Sequence, residues 1–465
     1  MDKPLKLNYK RTFIIGFAFF GILMLWQIYN TYCPPFLTEL LKSQFPNPNF
    51  TELDYQYIVG IIMACDNIFA MFMLPLFGHL SDKTHTKLGK RMPYIIVGTI
   101  ASAIIFPFIA ICFCYNSFVG LIISMGVTLI AMQMYRNPAV SLMPDLTPKP
   151  LRATANGIIN FVGYIGAIIA GGIALFLPFQ KMNPNEGANP YLSLIPFIIG
   201  SALLLISGII LFLTVKENKV LEEMKDDLRR GEELAEVEEK VDDDKPMGKA
   251  NKIAFILLIA SVFLWFMSFN SVETFWTNFG IYHLETTSYS LGPTLLAIAS
   301  LVAFLPSGWL ANKIGRKWTI VIGIILLVLC FTGGSISSFF DAGYGYDQAT
   351  GEAGSAMPIY YYIIFIVGGI GWAMINCCSY PMVVELCSKD KIGRFTGIYY
   401  AASMLAQSIT PILVGGILTI TNGWVALFPY AAAFMLLALV TFIFVKDMHK
   451  AKKSEVKKEE IKPFE

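Results

Sequence analysis

Three ionisable side chains lie deep inside long apolar stretches, where a charge is costly. Asp66 occurs in Met-Ala-Cys-Asp-Asn, Arg136 in Met-Tyr-Arg-Asn-Pro and Glu273 in Ser-Val-Glu-Thr. A charge in such surroundings needs a partner, water or a change of protonation. One arginine and two carboxylates leave one negative charge over, which a single bound proton removes. We therefore predict that Asp66 and Glu273 bind a cation whose movement could be coupled to that of another molecule. The sequence does not decide which acid carries the proton.

Neutral polar and aromatic residues accompany these charges at helical spacing. Gln133 lies one turn before Asn137, and Asn270 lies one turn before Glu273. Amides and a guanidinium offer donors and acceptors to the hydroxyls or carboxylate of a small molecule. The alternatives are a buried ion-pair network without a ligand and, for the aromatic rings, contacts with the core or with lipid. The predicted substrate-binding residues are Asn67, Gln133, Tyr135, Arg136, Asn137, Asn270, Glu273 and Trp276.

The elements that must hold these residues are apolar segments long enough to cross a bilayer. The chain has 465 residues, of which 55% are hydrophobic and 15% charged, against about 25% charged in soluble domains. A hydrocarbon core of ~30 Å needs about 20 helical residues. An all-α integral membrane protein with twelve transmembrane helices is therefore predicted. The expected spans are 12–32, 55–80, 92–114, 117–143, 153–178, 191–215, 252–280, 288–311, 318–338, 358–383, 394–420 and 423–446.

Lysine and arginine concentrate in the loops on one side of these spans. One such loop carries Lys87, Lys90 and Arg91, whereas the loops of the opposite side hold only Lys42 and Lys181. Basic loops stay in the cytoplasm. We therefore expect a multi-pass protein of the cell membrane with both termini cytoplasmic and an uncleaved first helix.

One long polar segment, 216–251, interrupts the apolar pattern after the sixth span. It is dense in Glu, Asp and Lys, which predicts a surface helix or a mobile linker. The expected domains are a six-helix bundle at 1–215, a cytoplasmic linker at 216–251, a second six-helix bundle at 252–446 and a cytoplasmic tail at 447–465.

The two halves repeat each other. Gly78-His-Leu-Ser-Asp82 ends the second span, and Gly308-Trp-Leu-Ala-Asn312 ends the eighth. A basic turn follows each copy. Two helices later, an acid precedes a glycine by twelve residues in both halves. Parallel repeats of this kind indicate two bundles related by pseudo-twofold symmetry, with a binding site between them. The further matches are Gly89-Lys-Arg91 with Gly315-Arg-Lys317, and Asp145 and Gly157 with Glu385 and Gly397.

These residues resemble the signature of the major facilitator superfamily, Gly-x-x-x-Asp-Arg/Lys-x-Gly-Arg-Arg/Lys. The copy from Gly308 to Lys317 follows it closely, with Asn312 where the family prefers Asp. The longer first copy, which ends in Gly-Lys-Arg-Met-Pro at Pro93, resembles the glycoside–pentoside–hexuronide/cation symporters and the sucrose/proton symporter branch. The resemblance implies the major facilitator fold and alternating access between two bundles.

The resemblance also implies a conformational latch at the cytoplasmic end. Asp82 would bond the start of the eleventh span near Gly393 and Arg394, and would release it when that end opens. Asp145 and Glu385 would form matching latches with nearby arginines. The alternative is that these are solvated loop charges that only set topology. The expected latch residues are Gly78, Asp82, Gly89, Arg91, Asp145, Arg152, Gly308, Asn312, Arg316, Glu385 and Arg394.

The function that follows is cation-coupled symport of a sugar or glycoside, with a proton as the expected cation and sodium as the alternative. We expect a monomer in the lipid bilayer that needs no cofactor or metal. The net charge of +2 gives no sign of a nucleic-acid partner. The competing hypotheses are a carrier of another solute, such as an organic anion held by Arg136 or an amphipathic molecule, and a non-transporting receptor on the same fold. An enzyme is not expected, because HExxH, GxSxG, paired-Cys and Walker sequences are absent.

Overall fold

The computed structural model describes residues 5–240, 249–348, 350–386 and 392–445. Within these ranges, twelve helices are long and apolar enough to cross a membrane, as predicted. Two shorter helices, α7 and α8, follow the sixth span. The helices are α1 Tyr9–Gln44, α2 Gln56–Lys83, α3 Met92–Cys114, α4 Phe118–Asp145, α5 Arg152–Phe176, α6 Leu194–Thr214, α7 Glu217–Glu223, α8 Lys225–Lys240, α9 Lys249–Tyr282, α10 Leu291–Ile314, α11 Arg316–Ser337, α12 Ile359–Leu386, α13 Ile392–Thr421 and α14 Leu427–Ile443.

Helix α1 extends further than its apolar run predicts. The sequence places its end near Tyr32, before Pro34, Pro35 and the first charged residues, yet the helix continues to Gln44. Residues 33–41 of the added turns are buried. Phe36 stacks on Phe113 with ring centroids 4.0 Å apart. Tertiary packing therefore outweighs the local helix-breaking signal.

The internal repeat in the sequence is also a repeat in packing. In the first half α1 packs on α5 and α6, α3 packs on α4 and α6, and α2 packs on α4. In the second half α9 packs on α13 and α14, α11 packs on α12 and α14, and α10 packs on α12. Each half has its own hydrophobic core. The halves meet where α1 faces α9, α2 faces α13 and α5 faces α10.

The loops divide between the two ends of the bundle. The end with few basic residues, here named the outer end, carries the loops 45–55, 115–117, 177–193, 283–290, 338–358 and 422–426. A two-stranded ribbon, Tyr346–Asp347 with Glu352–Ala353, lies in the fifth of these loops. The opposite, basic end is named the inner end.

The polar segment after α6 is helical where the structure describes it, and it docks on the inner end of the first half. Helix α8 packs against residues 149–151. A Cβ at Gly231 would lie 2.8 Å from the Cβ of Pro148, which shows how close the approach is. Of the two structures predicted for this segment, a surface helix matches its described part.

Candidate functional site

A cavity lies between the two halves, near the middle of the spans. Its space free of protein atoms is about 300 Å³, a volume that includes the solvent at its openings. Helices α1 and α2 supply one wall, and α9 and α13 supply the other. Both halves therefore contribute to one site, as the repeat predicts. The described lining residues are Trp26, Asn30, Met63, Asn67, Asn270, Glu273, Thr274 and Gln407.

Glu273 presents its carboxylate to this cavity. Its side chain is exposed, whereas its chain neighbours Val272 and Thr274 are buried. A charge at this depth is tolerated where it faces a cavity that water can enter. Among the described lining residues it is the one ionisable group. It can accept hydrogen bonds from hydroxyls when charged and donate one when protonated.

Arg136 lies behind the wall of the cavity. Its guanidinium carbon is 5.8 Å from the ring centroid of Trp26, which lines the cavity. That contact is a cation–π interaction, which favours an arginine over the face of a tryptophan. Within the described side chains Arg136 and Glu273 do not form the ion pair that the sequence suggested. The side chain of Asp66, the other proposed partner, lies outside the described part of the structure.

Two of the predicted amides line the cavity and differ in their hydrogen bonding. The Asn67 amide donates to the backbone carbonyl of Gln407 at 3.2 Å, which joins α2 to α13. The Asn270 carbonyl oxygen is buried and has no hydrogen-bond partner in the described structure. An unpaired buried acceptor is costly, so Asn270 is placed to take a donor from a ligand.

Besides Arg136, four predicted binding residues lie outside the described lining. Tyr135 is buried in the core of the first half, where its hydroxyl donates to the carbonyl of Ala18. Trp276 is buried in the second half and donates from Nε1 to the carbonyl of Tyr289 at 2.7 Å. In this conformation both rings pack in the core of their half, and their contact with substrate stays a prediction.

The other two are amides of α4. The Asn137 amide nitrogen packs against Gly78, where an added Cβ would come within 2.5 Å of it. Gln133 is buried, and neither of its amide atoms has a partner in the described structure. Gln133 therefore stays a candidate for contact with a ligand in another conformation.

Sequence reasoning missed five lining residues. Asn30 and Gln407 are neutral polar residues within apolar spans, and this is the same signal that singled out Asn67. Trp26 and Met63 carry no such signal, because large apolar residues are common in every span. Thr274 adjoins Glu273 in the sequence. The way α1, α2, α9 and α13 pack around the cavity is what identifies these residues.

The outer end of the cavity is closed by contacts between the halves. Glu39, on the added turns of α1, is 2% exposed. The Tyr282 hydroxyl donates to its Oε1 at 2.7 Å. Lys42 Nζ lies 3.0 Å from the same oxygen, and Asn185 Nδ2 donates to Oε2 at 2.5 Å. Glu39 thus links the first half to α9 of the second half.

An amide and hydroxyl cluster lies beside Glu39. The Asn278 amide donates to Thr38 Oγ1 at 3.1 Å and to Gln56 Oε1 at 2.9 Å. All three residues are buried. A buried polar cluster of this kind ties the halves together in one specific arrangement.

The halves also approach closely through their backbones. A Cβ at Gly60 would lie 2.1 Å from the carbonyl oxygen of Pro411, and one at Gly415 would lie 2.4 Å from that of Gln56. Only glycine permits α2 and α13 to come this close. We name the bonded clusters of Glu39 and Asn278, together with this glycine contact, the outer gate.

At the inner end, Arg91 organises the first copy of the repeated motif. Its Nη2 lies 2.5 Å from Asp82 Oδ1, and its Nε lies 2.9 Å from Asp145 Oδ2. It also donates to Ser81 Oγ at 2.5 Å. In this conformation Asp82 pairs with Arg91 of its own half. The partners predicted for it at the start of the eleventh span lie outside the described side chains. The ion pair of Asp145 with Arg91 is present, and its role as a latch stays a prediction.

Glu217, at the start of α7, closes the same loop and was not identified from the sequence. The side chain is wholly buried. Its carboxylate accepts from the backbone N–H groups of Lys90, Arg91 and Met92 at 3.0–3.2 Å. These donors lie at the start of α3, where a negative charge is stabilised. Gly89 has φ +116°, and a Cβ there would meet the Glu217 carboxylate.

The second copy of the motif has a different turn. Gly315, with φ +93°, is the single residue between α10 and α11. This turn is therefore too short to wrap around a buried carboxylate as the first-copy loop does around Glu217. Arg316 donates to the carbonyl of Pro381 at 3.2 Å. Gly308 lies near Cys377, and Asn312 is exposed.

Of the remaining latch residues, the described side chain of Arg152 contacts its own half. In the first half, Arg152 donates to the nearby carbonyl of Thr147 at 3.1 Å. The side chains of Glu385 and Arg394, and the surroundings of Gly393, lie outside the described part of the structure.

Two solved structures share this architecture. The inward-open xylose transporter XylE of E. coli has a TM-score of 0.66 and 16% identity, and the match covers 93% of this chain and 96% of that one. A crystal structure of a peptide transporter has a TM-score of 0.64 and 14% identity, over 95% of each chain. At this identity the likeness shows the fold.

Two curated proteins match this chain at 25% sequence identity. An isoprimeverose transporter of Lactiplantibacillus pentosus is 25% identical over 295 residues, which are 60% of this chain and 57% of that protein. The match therefore spans less than two thirds of this relative. A sucrose transport protein of Arabidopsis thaliana is 25% identical over 410 residues, or 80% of this chain and 79% of that one.

The family itself follows from a match over most of the sequence. The model of the Major Facilitator Superfamily matches residues 15–411 and 254–465. That match confirms the resemblance carried by the two loop motifs and agrees with the twelve helices and their repeat. The chain belongs to the Major Facilitator Superfamily.

Proposed function

We propose that this protein is a secondary transporter that carries a sugar or glycoside together with a cation. The observation that carries the proposal is the cavity between the halves, in which four amides surround one carboxylate and one tryptophan. Amides and a carboxylate match the hydroxyls of a sugar, and an aromatic ring matches its apolar face. The two curated relatives, which are named for isoprimeverose and sucrose, support the same substrate class.

The geometry supports alternating access as the mechanism. The outer gate is shut, and the bonds that close it run between α1, α2, α9 and α13. The cavity lies on the inner side of these bonds. Opening the outer gate requires that the Glu39 and Asn278 contacts break, while the inner end closes around α2 and α13.

Glu273 is the proposed coupling residue among the described side chains. When charged, it makes the cavity anionic, and when protonated it offers a donor to the substrate. Binding a proton therefore changes both the charge and the hydrogen-bonding capacity of the site before the substrate is carried across the membrane. Sodium remains the alternative cation, since a carboxylate and amide oxygens also suit it. Asp66, one residue before Asn67 on α2, stays the second candidate.

An organic anion is a weaker candidate substrate. The described lining of the cavity carries a carboxylate and no cationic side chain, because Arg136 lies behind Trp26. A receptor without transport is also less well supported. A receptor would need a free polar segment for signalling, such as the stretch after α6 or the basic tail. The described start of that stretch instead bonds to residues 86–92.

We further propose that the protein is a monomer in the cell membrane with both termini cytoplasmic. The basic residues at the inner end support this orientation. The outer end would then face the exterior, which agrees with its scarcity of lysine and arginine.

The test is a flux assay with the purified chain in proteoliposomes. Uptake of labelled sucrose, isoprimeverose and xylose is measured under an imposed proton gradient, an imposed sodium gradient and neither. We expect uphill accumulation of at least one sugar under the proton gradient. Equal uptake under all three conditions would exclude coupling, and uptake of an organic anion in preference to every sugar would exclude the substrate class.

A further inference from the structure

A second cleft lies at the inner end of the first half, where α6 ends and loop 84–91 meets the start of α7. About 860 Å³ of space free of protein atoms, open solvent included, lies between its walls. One wall is apolar, and its exposed side chains are Leu88, Phe212 and Leu213.

The other wall is basic. It carries Lys87 from the loop, together with Lys216 and Lys219 from the segment after α6. All three side chains are exposed. Lys219 has an acidic neighbour in Glu223, but the two groups are 3.8 Å apart and largely exposed, so their attraction is weak.

Glu217 is the one acid among the described lining residues, and it does not cancel this charge. Its carboxylate is buried and accepts three backbone N–H groups at the start of α3. Those bonds direct its charge away from the cleft. The cleft therefore offers a net positive surface to a ligand.

The depth of the cleft fits the boundary between acyl chains and headgroups. The sixth membrane span ends at Thr214, so Phe212 and Leu213 lie in its last turn. Lys216 follows two residues later. The apolar wall thus adjoins the hydrocarbon region, and the lysines lie at the level of phosphate groups.

We infer that this cleft binds the headgroup of an anionic phospholipid from the inner-end leaflet, with an acyl chain against Phe212 and Leu213. A free phosphate ion would use only the lysines, whereas the continuous apolar wall requires a ligand with a chain. Such a lipid would touch loop 84–91, which also carries Arg91. Asn218 already holds that loop by donating to the carbonyls of Thr86 and Lys87 at 2.9 and 3.0 Å.

The test is native mass spectrometry of the full chain in detergent, titrated with phosphatidylglycerol and with phosphatidylcholine of identical acyl chains. We expect one phosphatidylglycerol to bind more tightly than any phosphatidylcholine. A surface lysine contributes about fivefold to binding of an anionic lipid, so the variant with Lys87→Gln, Lys216→Gln and Lys219→Gln should lose up to ~100-fold.

The matched control removes three other exposed lysines of the inner end, with Lys10→Gln, Lys149→Gln and Lys225→Gln. It should keep the preference for phosphatidylglycerol. Thermal unfolding of both triple variants should match the wild type, since the replaced side chains are exposed. The inference is overturned if the cleft variant keeps the preference, if the control loses it equally, or if excess inorganic phosphate displaces the lipid, which would indicate a free-anion site.

Discussion

The Tyr282 hydroxyl lies 2.7 Å from Oε1 of Glu39, and this bond joins the second half of the protein to the first. Glu39 is buried, so its carboxylate relies on the few donors around it for hydrogen bonds. The bond exists only while the outer end is closed. It is therefore a direct probe of the conformational equilibrium.

Tyr282→Phe should favour opening of the outer gate. The bond to a buried carboxylate stabilises by about 1.5–3 kcal/mol, which corresponds to a 10-fold to 100-fold change in the population of the open form. Spin labels on α1 and α9 at the outer end would report the change as a longer distance between the labels.

Tyr360→Phe is the matched control for that variant. Its hydroxyl donates to buried Asp341 at 2.9 Å, but both residues belong to the second half. The same chemistry is lost without a contact between the halves, so the distribution of distances should stay unchanged. An equal response in both variants would contradict the gate.

Gly60→Ala should also oppose closure of the outer end. Its Cβ would come within 2.1 Å of the Pro411 carbonyl oxygen, a backbone atom. Overpacking at such a contact costs about 1–3 kcal/mol, and α2 and α13 would have to separate. Transport should slow, and accessibility at the outer end should rise. Gly126→Ala, where no atom lies within 4 Å of the added Cβ, should behave as wild type.

Glu273→Gln should separate coupling from substrate binding. The neutral side chain imitates the protonated acid and keeps donors for the sugar. We expect proton-driven accumulation to be lost, while exchange of labelled sugar between equal pools stays measurable. Glu352→Gln, which removes an exposed acid in an outer loop, is the control. Uphill accumulation at the wild-type level in Glu273→Gln would mean that Glu273 is not the coupling residue. Asp66 would then be the remaining candidate of the pair.

Glu217→Gln should loosen the inner end without touching the cavity. The carboxylate loses its charge at the start of α3, where three N–H groups donate to it. We expect a loss of about 1–3 kcal/mol in stability, seen as a lower unfolding temperature and faster proteolysis between α6 and α8. Glu222→Gln, at an exposed position, should change neither.

The orientation is tested by labelling single cysteines in a background without the eight native ones. His85→Cys and Thr350→Cys place exposed thiols at the inner and outer ends. An impermeant thiol reagent added to intact cells should label position 350 and not position 85. The reverse pattern would mean that the assignment of both termini to the cytoplasm is wrong.

Hydropathy alone located the twelve spans, because each must be apolar over the thickness of a bilayer. The exception was α1, whose Pro34, Glu39 and Lys42 predicted a loop. Those residues continue the helix because the loop 177–193 and α9 cover them. Such contacts link positions more than 140 residues apart, which a local pattern does not show.

The candidate site was only partly predictable from the sequence. The position of a residue along an apolar segment does not tell which side of the helix its side chain occupies. Glu273 and Asn270 face the cavity, whereas Trp276, one turn later, turns into the core. Arg136 was correctly recognised as unusual, but its contact with Trp26 depends on how α1 packs against α4. Glu217 was overlooked because a single acid in an acidic segment carries no signal of its own.

The bonds of the outer gate that cross between the halves come from neutral donors, namely the phenol of Tyr282 and the amide of Asn278. The cationic partner of Glu39, Lys42, lies on the same helix as Glu39. Salt screens exposed charges over about 10 Å at moderate ionic strength, but it acts weakly on buried dipoles. Closure at this end should thus be nearly indifferent to the salinity outside the cell. A carrier built this way can keep the same resting state in fresh and in saline surroundings, and its driving ion can change in concentration without disturbing its gate.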